Sequence, residues 1–287
     1  MSITEYGVTS EYGRIRKLLV CRPFYFRWEP VNETAKKYLA LGHSFTRAEA
    51  MAQHKELRQA FESKKVEVIE VPPVEGFNYQ VYTRDFGKCT PEGIILGNFR
   101  YPLRKSETDH MEGFFGKLGI PILGRVKDGI LEGGDIHYID EETVAVGVGG
   151  RSDTAGCQEA EAWFKRAGFQ LITVPFAAEY CHLDILYVRL NARTCVANPV
   201  GLPDSFLRLL KDKNIDIIEV PDDESRDLMC NVVSIDGETI VSPAENINTN
   251  RKLRAAGFDV LEPHYDIFLR GGGGPRCSTF ILKRDPV

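Results

Sequence analysis

The chain has 287 residues, of which 43% are hydrophobic and 27% charged, a composition typical of soluble globular proteins that bury a large core. Its net charge of −5 argues against a nucleic-acid-binding function and is compatible with a cationic substrate. The N-terminal segment MSITEYGVTSEYGRIRK lacks the apolar core of a secretory signal, and no run of 18 apolar residues occurs, so we expect a cytoplasmic protein without a membrane partner.

Helical patterns alternate along the chain with apolar, β-branched runs, which predicts the α/β class. In chain order, helices and the strands after them are predicted at about 47–63 and 66–73, 107–118 and 120–124, 155–167 and 169–175, 204–213 and 215–221, and 249–256 and 258–263. Gly119, Gly168 and Gly257 follow three of these helices, where glycine often ends a helix in the left-handed conformation. Asp204 is the predicted N-cap of the fourth helix.

Stretches typical of strand, tight polar turn and strand lie between these units, at 82–97, 133–147, 183–197 and 232–242. A polar or reactive residue recurs at a similar place, with successive separations of 50, 49, 47 and 46 residues. This period predicts repeated units that close radially, and an irregular α/β sandwich is the alternative. A ring of about five units would form a single domain over residues 1–287. It would bring the recurring residues to one centre: Asp85, Asp135, Asp184, Asn231 and Cys277.

The cysteines indicate reduced thiols. Their number is odd, they are scattered along the chain and no CxxC pair occurs, so we expect neither a disulfide framework nor a zinc site. The seven are Cys21, Cys89, Cys157, Cys181, Cys195, Cys230 and Cys277.

The sharpest local motif is GGGGPRCST, which ends at Thr279 and contains Cys277. Its glycines would let the backbone approach a ligand closely. The alternative is a tight turn with an inert cysteine before the last strand. It is not a phosphate-binding loop, because no GK[ST] follows and the next residues are typical of a strand.

Three further motifs contain groups for acid–base chemistry. In CHLD, His182 and Asp184 would share one face if the segment is a strand, and the alternatives are a structural histidine or half of a metal site. In LEGGD, Glu132 precedes two glycines, and in YTRD, Asp85 ends a strand-like run. No matching cluster of further ligands occurs, so we do not expect a metal.

The repeat predicts that these groups surround Cys277. A cysteine beside a histidine is a nucleophile with its acid–base partner. Several carboxylates would raise the pKa of the thiol, which is unfavourable for peptide or ester chemistry. They suit a substrate that itself carries a delocalised positive charge, and a guanidinium group does so and matches carboxylates with two hydrogen bonds.

The motifs YTRD, LEGGD, HLD and GGGGPRCST occur in the order found in the guanidine-modifying superfamily, the pentein enzymes, and the chain resembles that superfamily from about Arg14 to its C-terminus. The superfamily includes arginine deiminase, dimethylarginine dimethylaminohydrolase, agmatine deiminase and the amidinotransferases. The resemblance implies a five-bladed αβ-propeller and a reaction through a cysteine-linked thiouronium that needs no cofactor or metal.

The resemblance also implies residue roles. Cys277 resembles the nucleophile, His182 the general acid and base, and Glu132 the third member of the triad. Asp85 and Asp184 match the pair of carboxylates that bind the guanidinium nitrogens. Arg104 and Arg151 occupy positions that resemble those of arginines binding the substrate α-carboxylate.

The chain departs from each subgroup. It is shorter than bacterial arginine deiminases and similar in size to dimethylarginine hydrolases, but it has Asp184, which those enzymes tend not to keep. Amidinotransferases commonly have histidine where Arg276 stands and aspartate where Glu132 stands. We therefore favour an arginine-deiminase-like hydrolase that acts on the guanidino carbon of arginine or an arginine derivative and gives a citrulline-type ureido product with ammonia or an amine. The alternatives are a dimethylarginine hydrolase, then an arginine dihydrolase or amidinotransferase, and last a binding protein without activity.

Two further expectations concern assembly and access. The resemblance is compatible with a homodimer. The segment 24–43, which precedes the first long helix, is our hypothesis for a lid over the site.

Overall fold

The computed structural model describes residues 5–287 and shows a mixed α/β fold, as the sequence predicts. The described residues form five sheets of three strands each. In every sheet the middle strand pairs antiparallel with one neighbour and parallel with the other. The strands are β1 (Ile15–Cys21), β2 (Glu67–Val71), β3 (Gly87–Thr90), β4 (Gly93–Leu96), β5 (Ile122–Arg125), β6 (Ile136–Tyr138), β7 (Thr143–Val148), β8 (Gln170–Pro175), β9 (Tyr187–Arg189), β10 (Thr194–Ala197), β11 (Asp216–Glu219), β12 (Val233–Ser234), β13 (Thr239–Val241), β14 (Asp259–Leu261) and β15 (Phe280–Arg284).

The five sheets repeat one connection. In four of them a hairpin leads into a helix, and in all five a helical segment returns the chain from the middle strand to a strand parallel to it. Four sheets use consecutive strands, whereas the fifth joins the two ends of the chain, because β15 pairs with β1 and β1 pairs with β2. The repeat predicted from sequence is thus visible in the connectivity, and its closure into a five-bladed propeller stays a prediction.

Five of the eight helices in residues 5–287 lie where the periodicity predicts them, with ends that shift by up to two residues, and the three shorter ones at 33–40, 222–226 and 266–271 were not predicted. The helices are α1 (Glu33–Ala40), α2 (Arg47–Ser63), α3 (Lys105–Lys117), α4 (Thr154–Arg166), α5 (Asp204–Asp212), α6 (Asp222–Arg226), α7 (Ile247–Ala255) and α8 (Asp266–Gly271). Gly119, Gly168 and Gly257 have φ angles of 72°, 95° and 94°, which confirms the predicted glycine ends. The prediction for Asp204 was wrong. Pro203 holds the N-cap position of α5, and Asp204 is the first helical residue without a capping hydrogen bond.

The core lies between each sheet and its helix. Each sheet is packed against the helix that connects its two parallel strands. In every case one large apolar side chain near the end of that helix is fully buried. These residues are Phe61, Phe115, Phe164, Leu210 and Leu253. The first strands of the hairpins are buried at every residue (β3, β6, β9 and β12), whereas the strands on the opposite edge, such as β2 and β8, are partly exposed.

Short 3₁₀ turns precede the first strands of three hairpins, at Thr83–Phe86, Gly133–Asp135 and Leu183–Ile185. This corrects the prediction that His182 and Asp184 share one face of a strand. His182 has extended backbone just before the third turn, and Asp184 lies within it. The two side chains therefore point in directions set by a tight turn and not by a strand pleat.

No helix in the part of the chain from residue 5 to 287 is both long and apolar enough to cross a membrane. All seven cysteines belong to this part and each is a free thiol. The cytoplasmic location and the homodimer stay predictions.

Candidate active site

Five of the seven predicted site residues line one small cavity. Its volume is about 20 Å³, enough for roughly one water molecule. The walls come from the turns before the hairpins and from the segment that leads into α1. The lining residues are Val31, Asn32, Tyr79, Tyr82, Asp85, Arg104, Arg151, Cys181, His182, Gly272 and Cys277. Glu132 and Asp184 lie directly behind this wall and contact its members.

Cys277 is 4% exposed, and its Sγ lies 3.8 Å from Oδ2 of Asp184. Burial, together with the negative charges of Asp184 and Asp85, raises the pKa of the Cys277 thiol well above its ordinary value. The protein without substrate therefore favours the neutral thiol, and a bound cation would shift the balance toward the thiolate.

His182 and Glu132 form a buried pair, with His182 Nε2 2.9 Å from Glu132 Oε2. Burial opposes the charged imidazolium, but Cys181 and the carboxylates of Asp85 and Asp135 outweigh it and hold the pKa of His182 well above the ordinary value. A glycine is required at Gly134, because a Cβ there would lie 2.7 Å from the His182 ring. The LEGGD turn thus supplies both the carboxylate and the space for the imidazole.

Glu132 is held by several donors. Arg151 Nη1 donates to its Oε2 at 3.1 Å, and the backbone N–H of Arg100 donates to its Oε1 at 2.9 Å. Burial raises the pKa of Glu132, but Arg151 and His182 lower it more, to about 2. Glu132 is therefore ionised across the neutral range and orients the imidazole.

Asp85 and Asp184 each keep one buried oxygen atom, Oδ1, without a hydrogen-bond partner. Arg104 Nη1 donates to Oδ2 of Asp85 at 2.5 Å, and Oδ2 of Asp184 faces Cys277. An unpaired buried acceptor is costly unless a ligand supplies the missing donor. The two free oxygen atoms therefore indicate where a ligand rich in N–H groups would bind.

Arg104 and Arg151 differ in how many of their N–H donors are already hydrogen-bonded. Arg104 donates to Asp85, to Glu107 through three short contacts and to the carbonyl of Tyr82, so its donors are occupied by the protein. Arg151 donates one hydrogen bond, to Glu132, and stacks at 4.5 Å on the ring of Tyr101. Of the two residues proposed for an α-carboxylate, Arg151 has more unused donor capacity.

Asp135, which the repeat predicts at the centre, lies elsewhere. Its Oδ1 accepts from the backbone N–H of Leu183 at 2.8 Å, and its Oδ2 accepts from the hydroxyl of Ser152 at 2.6 Å. Burial raises its pKa to about 7. Asp135 joins two neighbouring turns and so positions the segment that carries His182.

Sequence reasoning missed Glu107 as part of the site, gave Asn231 a place at the centre without a role, and included Asn32 only as one residue of the predicted lid segment. Glu107 lies three residues after Arg104 in the first turn of α3, a spacing that predicts contact on a helix. Asn231 occupies the fourth position of the repeat and contacts Cys277. Nothing in the sequence singles out Asn32 within the predicted lid segment 24–43, because its place over the cavity depends on how α1 packs.

Asp85, Glu132 and His182 offer ligand atoms that lie within 4.8 Å of one another, as a metal site requires. Two of them are already paired with arginines, at Arg104 and Arg151. These fixed positive charges oppose a divalent cation and favour the use of the carboxylates in ion pairs.

A family model described as N,N dimethylarginine dimethylhydrolase, eukaryotic, matches residues 22–284. The chain belongs to this family. Its membership places it in the guanidine-modifying superfamily that the motifs predict, and makes it an enzyme, a C–N hydrolase of linear amidines.

Individual relatives extend this result. YkgA of Bacillus subtilis (strain 168), described as uncharacterized, is 30% identical over 96% of this chain and 94% of its own length. An arginine deiminase of Listeria welshimeri is 27% identical over 71% of this chain and 61% of its own length. The chain described here therefore spans less than two thirds of the length of that deiminase. The N-terminal domain of ArgZ, an arginine dihydrolase from Cyanobacteria, has the same fold, with a TM-score of 0.82 at 22% identity over 93% of this chain and 98% of that domain.

Proposed function

We propose that the enzyme hydrolyses the guanidino group of free arginine or a close derivative, with Cys277 as the nucleophile. The observation that carries this proposal is the pair of unpaired carboxylate oxygen atoms on Asp85 and Asp184 beside Cys277. A guanidinium group has a planar set of N–H donors and a positive charge, so it satisfies both acceptors and offsets part of their negative charge. Its central carbon would then lie next to Sγ.

Binding of the cation also explains how Cys277 becomes reactive. Without substrate, Asp184 and Asp85 raise the pKa of the thiol. A guanidinium between these carboxylates reduces their effect on the thiol and stabilises the thiolate. Activation of the nucleophile is thereby coupled to the presence of the correct charge.

The reaction follows from the two pairs of groups. The thiolate attacks the guanidino carbon, and His182 protonates the departing nitrogen, which leaves as ammonia or an amine. The covalent thiouronium that remains is attacked by water, which gives its proton to His182, and the sulfur leaves as thiolate to yield a ureido product. Glu132 orients the imidazole and stabilises its protonated form, as a triad carboxylate does. No residue in this scheme requires a cofactor or metal.

The site residues carry distinct roles in this proposal. Cys277, His182 and Glu132 act on the reacting atoms or orient them, while Asp85 and Asp184 bind the guanidinium. Arg151 is the better candidate for the substrate α-carboxylate, and Arg104 can contribute only by giving up part of its contact with Glu107. We also propose that the five repeated units form one domain that closes around this centre.

Asp184 favours an unmethylated guanidino group. Two methyl groups on one nitrogen remove the donors that a carboxylate beside that nitrogen would use, and a buried acceptor left unpaired typically discriminates strongly. The product would then be citrulline with ammonia. A covalent step is supported by ArgZ, one variant of which has been solved covalently bonded to a reaction intermediate.

Dimethylarginine hydrolysis is the second candidate, and the description of the matching family favours it. It would use the same nucleophile and acid–base pair and would release dimethylamine with citrulline. An arginine dihydrolase, which would form ornithine and two molecules of ammonia, is a third outcome, since ArgZ shares the fold.

A panel of substrates distinguishes these candidates. Purified enzyme is incubated with arginine, its N-methylated forms and agmatine, and the products are identified by mass spectrometry. We expect citrulline and ammonia from arginine, with much slower turnover of dimethylarginine. Dimethylamine release with arginine untouched would overturn the preference in favour of the second candidate, and ornithine would indicate the dihydrolase.

The nucleophile is tested by Cys277→Ser, with Cys157→Ser as the matched control for a buried thiol in a helix. We expect complete loss of turnover in the first variant and wild-type turnover in the second, with unchanged circular dichroism in both. Turnover retained by Cys277→Ser would refute the mechanism.

A further inference from the structure

Asn231 makes a set of contacts with the nucleophile that the scheme above does not use. This residue is fully buried, and its Nδ2 lies 3.2 Å from Sγ of Cys277. Its Oδ1 accepts from the backbone N–H groups of Arg276 at 3.1 Å and of Cys277 at 3.2 Å. A single carboxamide therefore holds the backbone of the nucleophile and contacts its sulfur.

These contacts also determine which way the carboxamide faces. Two backbone N–H groups can only donate, so the atom that they contact must be the oxygen. The atom that faces Sγ is then the NH₂ group, which can only donate. A thiolate accepts such a hydrogen bond much more strongly than a neutral thiol does, because the acceptor is charged. The contact therefore stabilises one protonation state of Cys277 over the other.

The surroundings show why such a donor matters. The carboxylates of Asp85 and Asp184 face the sulfur from two turns, so the thiolate adds a third negative charge that the protein must stabilise. The titratable and charged groups that act on Cys277 are Asp85, Asp184, His182, Arg84, Tyr82 and Tyr265. Among the groups closest to Sγ, Asp184 opposes the thiolate, whereas the backbone N–H of Gly274 and the side-chain donor of Asn231 favour it, and Asn231 is the one of these two donors that a substitution can remove.

We infer that Asn231 is a catalytic residue, whose side-chain N–H group stabilises the thiolate form of Cys277. The inference rests on the proposed function, in which the sulfur is charged twice. The thiolate forms before attack on the guanidino carbon, and it forms again when water has added to the thiouronium and the carbon–sulfur bond breaks. The same hydrogen bond serves both steps, since the sulfur gains negative charge in each. Asn231 would thus affect both formation and hydrolysis of the covalent intermediate.

Asn231→Asp is the sharpest test, because it preserves the shape and the oxygen that accepts from the backbone while it replaces the donor by a carboxylate oxygen. Asn191→Asp is the matched control. Its Oδ1 also accepts from two backbone N–H groups, at 2.9 and 2.8 Å, in a hairpin turn of another unit. Thiolate formation is followed by ultraviolet absorbance against pH in substrate-free protein, as the difference from the same protein carrying Cys277→Ser.

We expect the titration midpoint of Cys277 to rise by about one to two pH units in Asn231→Asp, because the donor is lost and a carboxylate is added beside the sulfur. Asn231→Leu removes the donor without adding a charge and should still raise the midpoint by about one pH unit, and an unchanged midpoint in that variant contradicts the inference. Turnover of the substrate found in the panel should fall by about 10- to 100-fold at a fixed neutral pH. Asn191→Asp should match the wild type in both. An unchanged midpoint in Asn231→Asp overturns the inference. The proposed function is tested separately, by whether Cys277→Ser loses turnover.

A measurement on the wild-type side chain covers the case in which Asn231→Asp fails to fold. The side-chain amide resonance of Asn231 is followed by nuclear magnetic resonance as the pH is raised. We expect it to shift with the titration of Cys277 in the wild type and to stay constant in Cys277→Ser. A resonance that does not respond in the wild type contradicts the inference.

Discussion

Asp85 and Asp184 flank the same sulfur but are held in different ways. Arg104 donates directly to Asp85, whereas the guanidinium of Arg276 approaches Asp184 only to 3.9 Å. Burial raises the pKa of Asp184, and His182 and Arg276 offset part of that effect. Asp184 therefore gains more than Asp85 from a bound cation, and the preference for the substituents on the guanidino group should depend most on Asp184.

Asp184→Asn should lower kcat/KM for arginine by about 10- to 100-fold, the loss expected for a hydrogen bond to a charged donor. The loss should be smaller for N-methylated arginine, which has fewer donors for this position. Steady-state kinetics on both substrates would measure it. Asp236→Asn is the control, because Asp236 accepts backbone N–H groups in a distant hairpin turn. Equal losses on both substrates would argue against Asp184 as the selecting residue.

The buried pair of His182 and Glu132 predicts how the free energy of unfolding depends on pH. The pKa of His182 is raised in the folded protein. Its contribution to the free energy of unfolding is therefore complete below the pKa of the unfolded state, about 6.5, and is lost as the pH rises through the pKa of the folded state. The pKa of Glu132 is lowered in the folded protein to about 2. Its contribution to the free energy of unfolding is therefore present above the unfolded pKa of about 4.5 and is lost as the pH falls through about 2. The pair contributes most between these limits.

His182→Gln should therefore destabilise the protein most near pH 6, by about 3–5 kcal/mol for a broken buried pair, and progressively less at alkaline pH. Urea unfolding from pH 5 to 10 gives the free energy of unfolding for both proteins. His43→Gln, at an exposed position, should differ little from the wild type throughout. A His182→Gln deficit that stays constant with pH would contradict the assignment of the charges.

At the scale of elements, the segment before α1 covers the catalytic cavity. Asn32 is the N-cap of α1, since its Oδ1 accepts from the backbone N–H of Ala35 at 2.8 Å, and its Nδ2 donates to the carbonyl of Gly271 at 3.0 Å. It lines the catalytic cavity and also an outer pocket of about 200 Å³ on the other side. A Cβ on Gly272 would lie 2.2 Å from Asn32, so a glycine is needed for this contact.

The proposed arginine-sized substrate is larger than a cavity that holds about one water, so we predict that this covering opens, and the lid at 24–43 stays a prediction. Asn32→Ala removes the cap and the contact with Gly271, so faster amide hydrogen exchange is expected over 31–41, together with a changed KM. Thr46→Ala is the matched control, because Thr46 caps α2 away from the cavity. It should cost about 1 kcal/mol of stability and leave KM unchanged. Unchanged exchange in Asn32→Ala would exclude the opening.

For the whole molecule, the fold depends on the meeting of its two ends. β15 pairs with β1, and Phe280, Ile281 and Leu282 are buried in the core. Just after them, Arg284 Nη2 donates to the carbonyl of Ser234 at 2.9 Å and so joins this sheet to the neighbouring unit. The last unit of the repeat is therefore completed by the first residues of the chain.

Truncation after Thr279 should prevent folding. It removes three core side chains that each contribute about 2–5 kcal/mol, which together reach the usual stability of a domain. Circular dichroism and size-exclusion chromatography would show loss of cooperative unfolding and aggregation. Removal of Pro286 and Val287 alone should leave both unchanged. A cooperative transition in the longer truncation would show that the remaining sheets fold without closure.

The amino-acid sequence by itself determined the α/β class, the order of helices and strands, the period of the repeat, and the residue types for chemistry on a guanidino group. Local patterns suffice for these features, since the positions of buried side chains repeat with the geometry of each element and glycine ends a helix in a conformation that few other residues adopt. Arg47–Ser63 was predicted to the residue for this reason.

Only the tertiary structure decided which charges pair. In the structure, Arg104 forms ion pairs with Asp85 and Glu107. Asp135 accepts from the backbone of Leu183 and does not line the cavity, and Asn231 donates to Cys277. The tertiary structure also turned the segment after His182 into a 3₁₀ turn. These outcomes depend on distances of a few ångströms between side chains from different units, where burial makes each pairing strong, and no spacing along the chain encodes such distances.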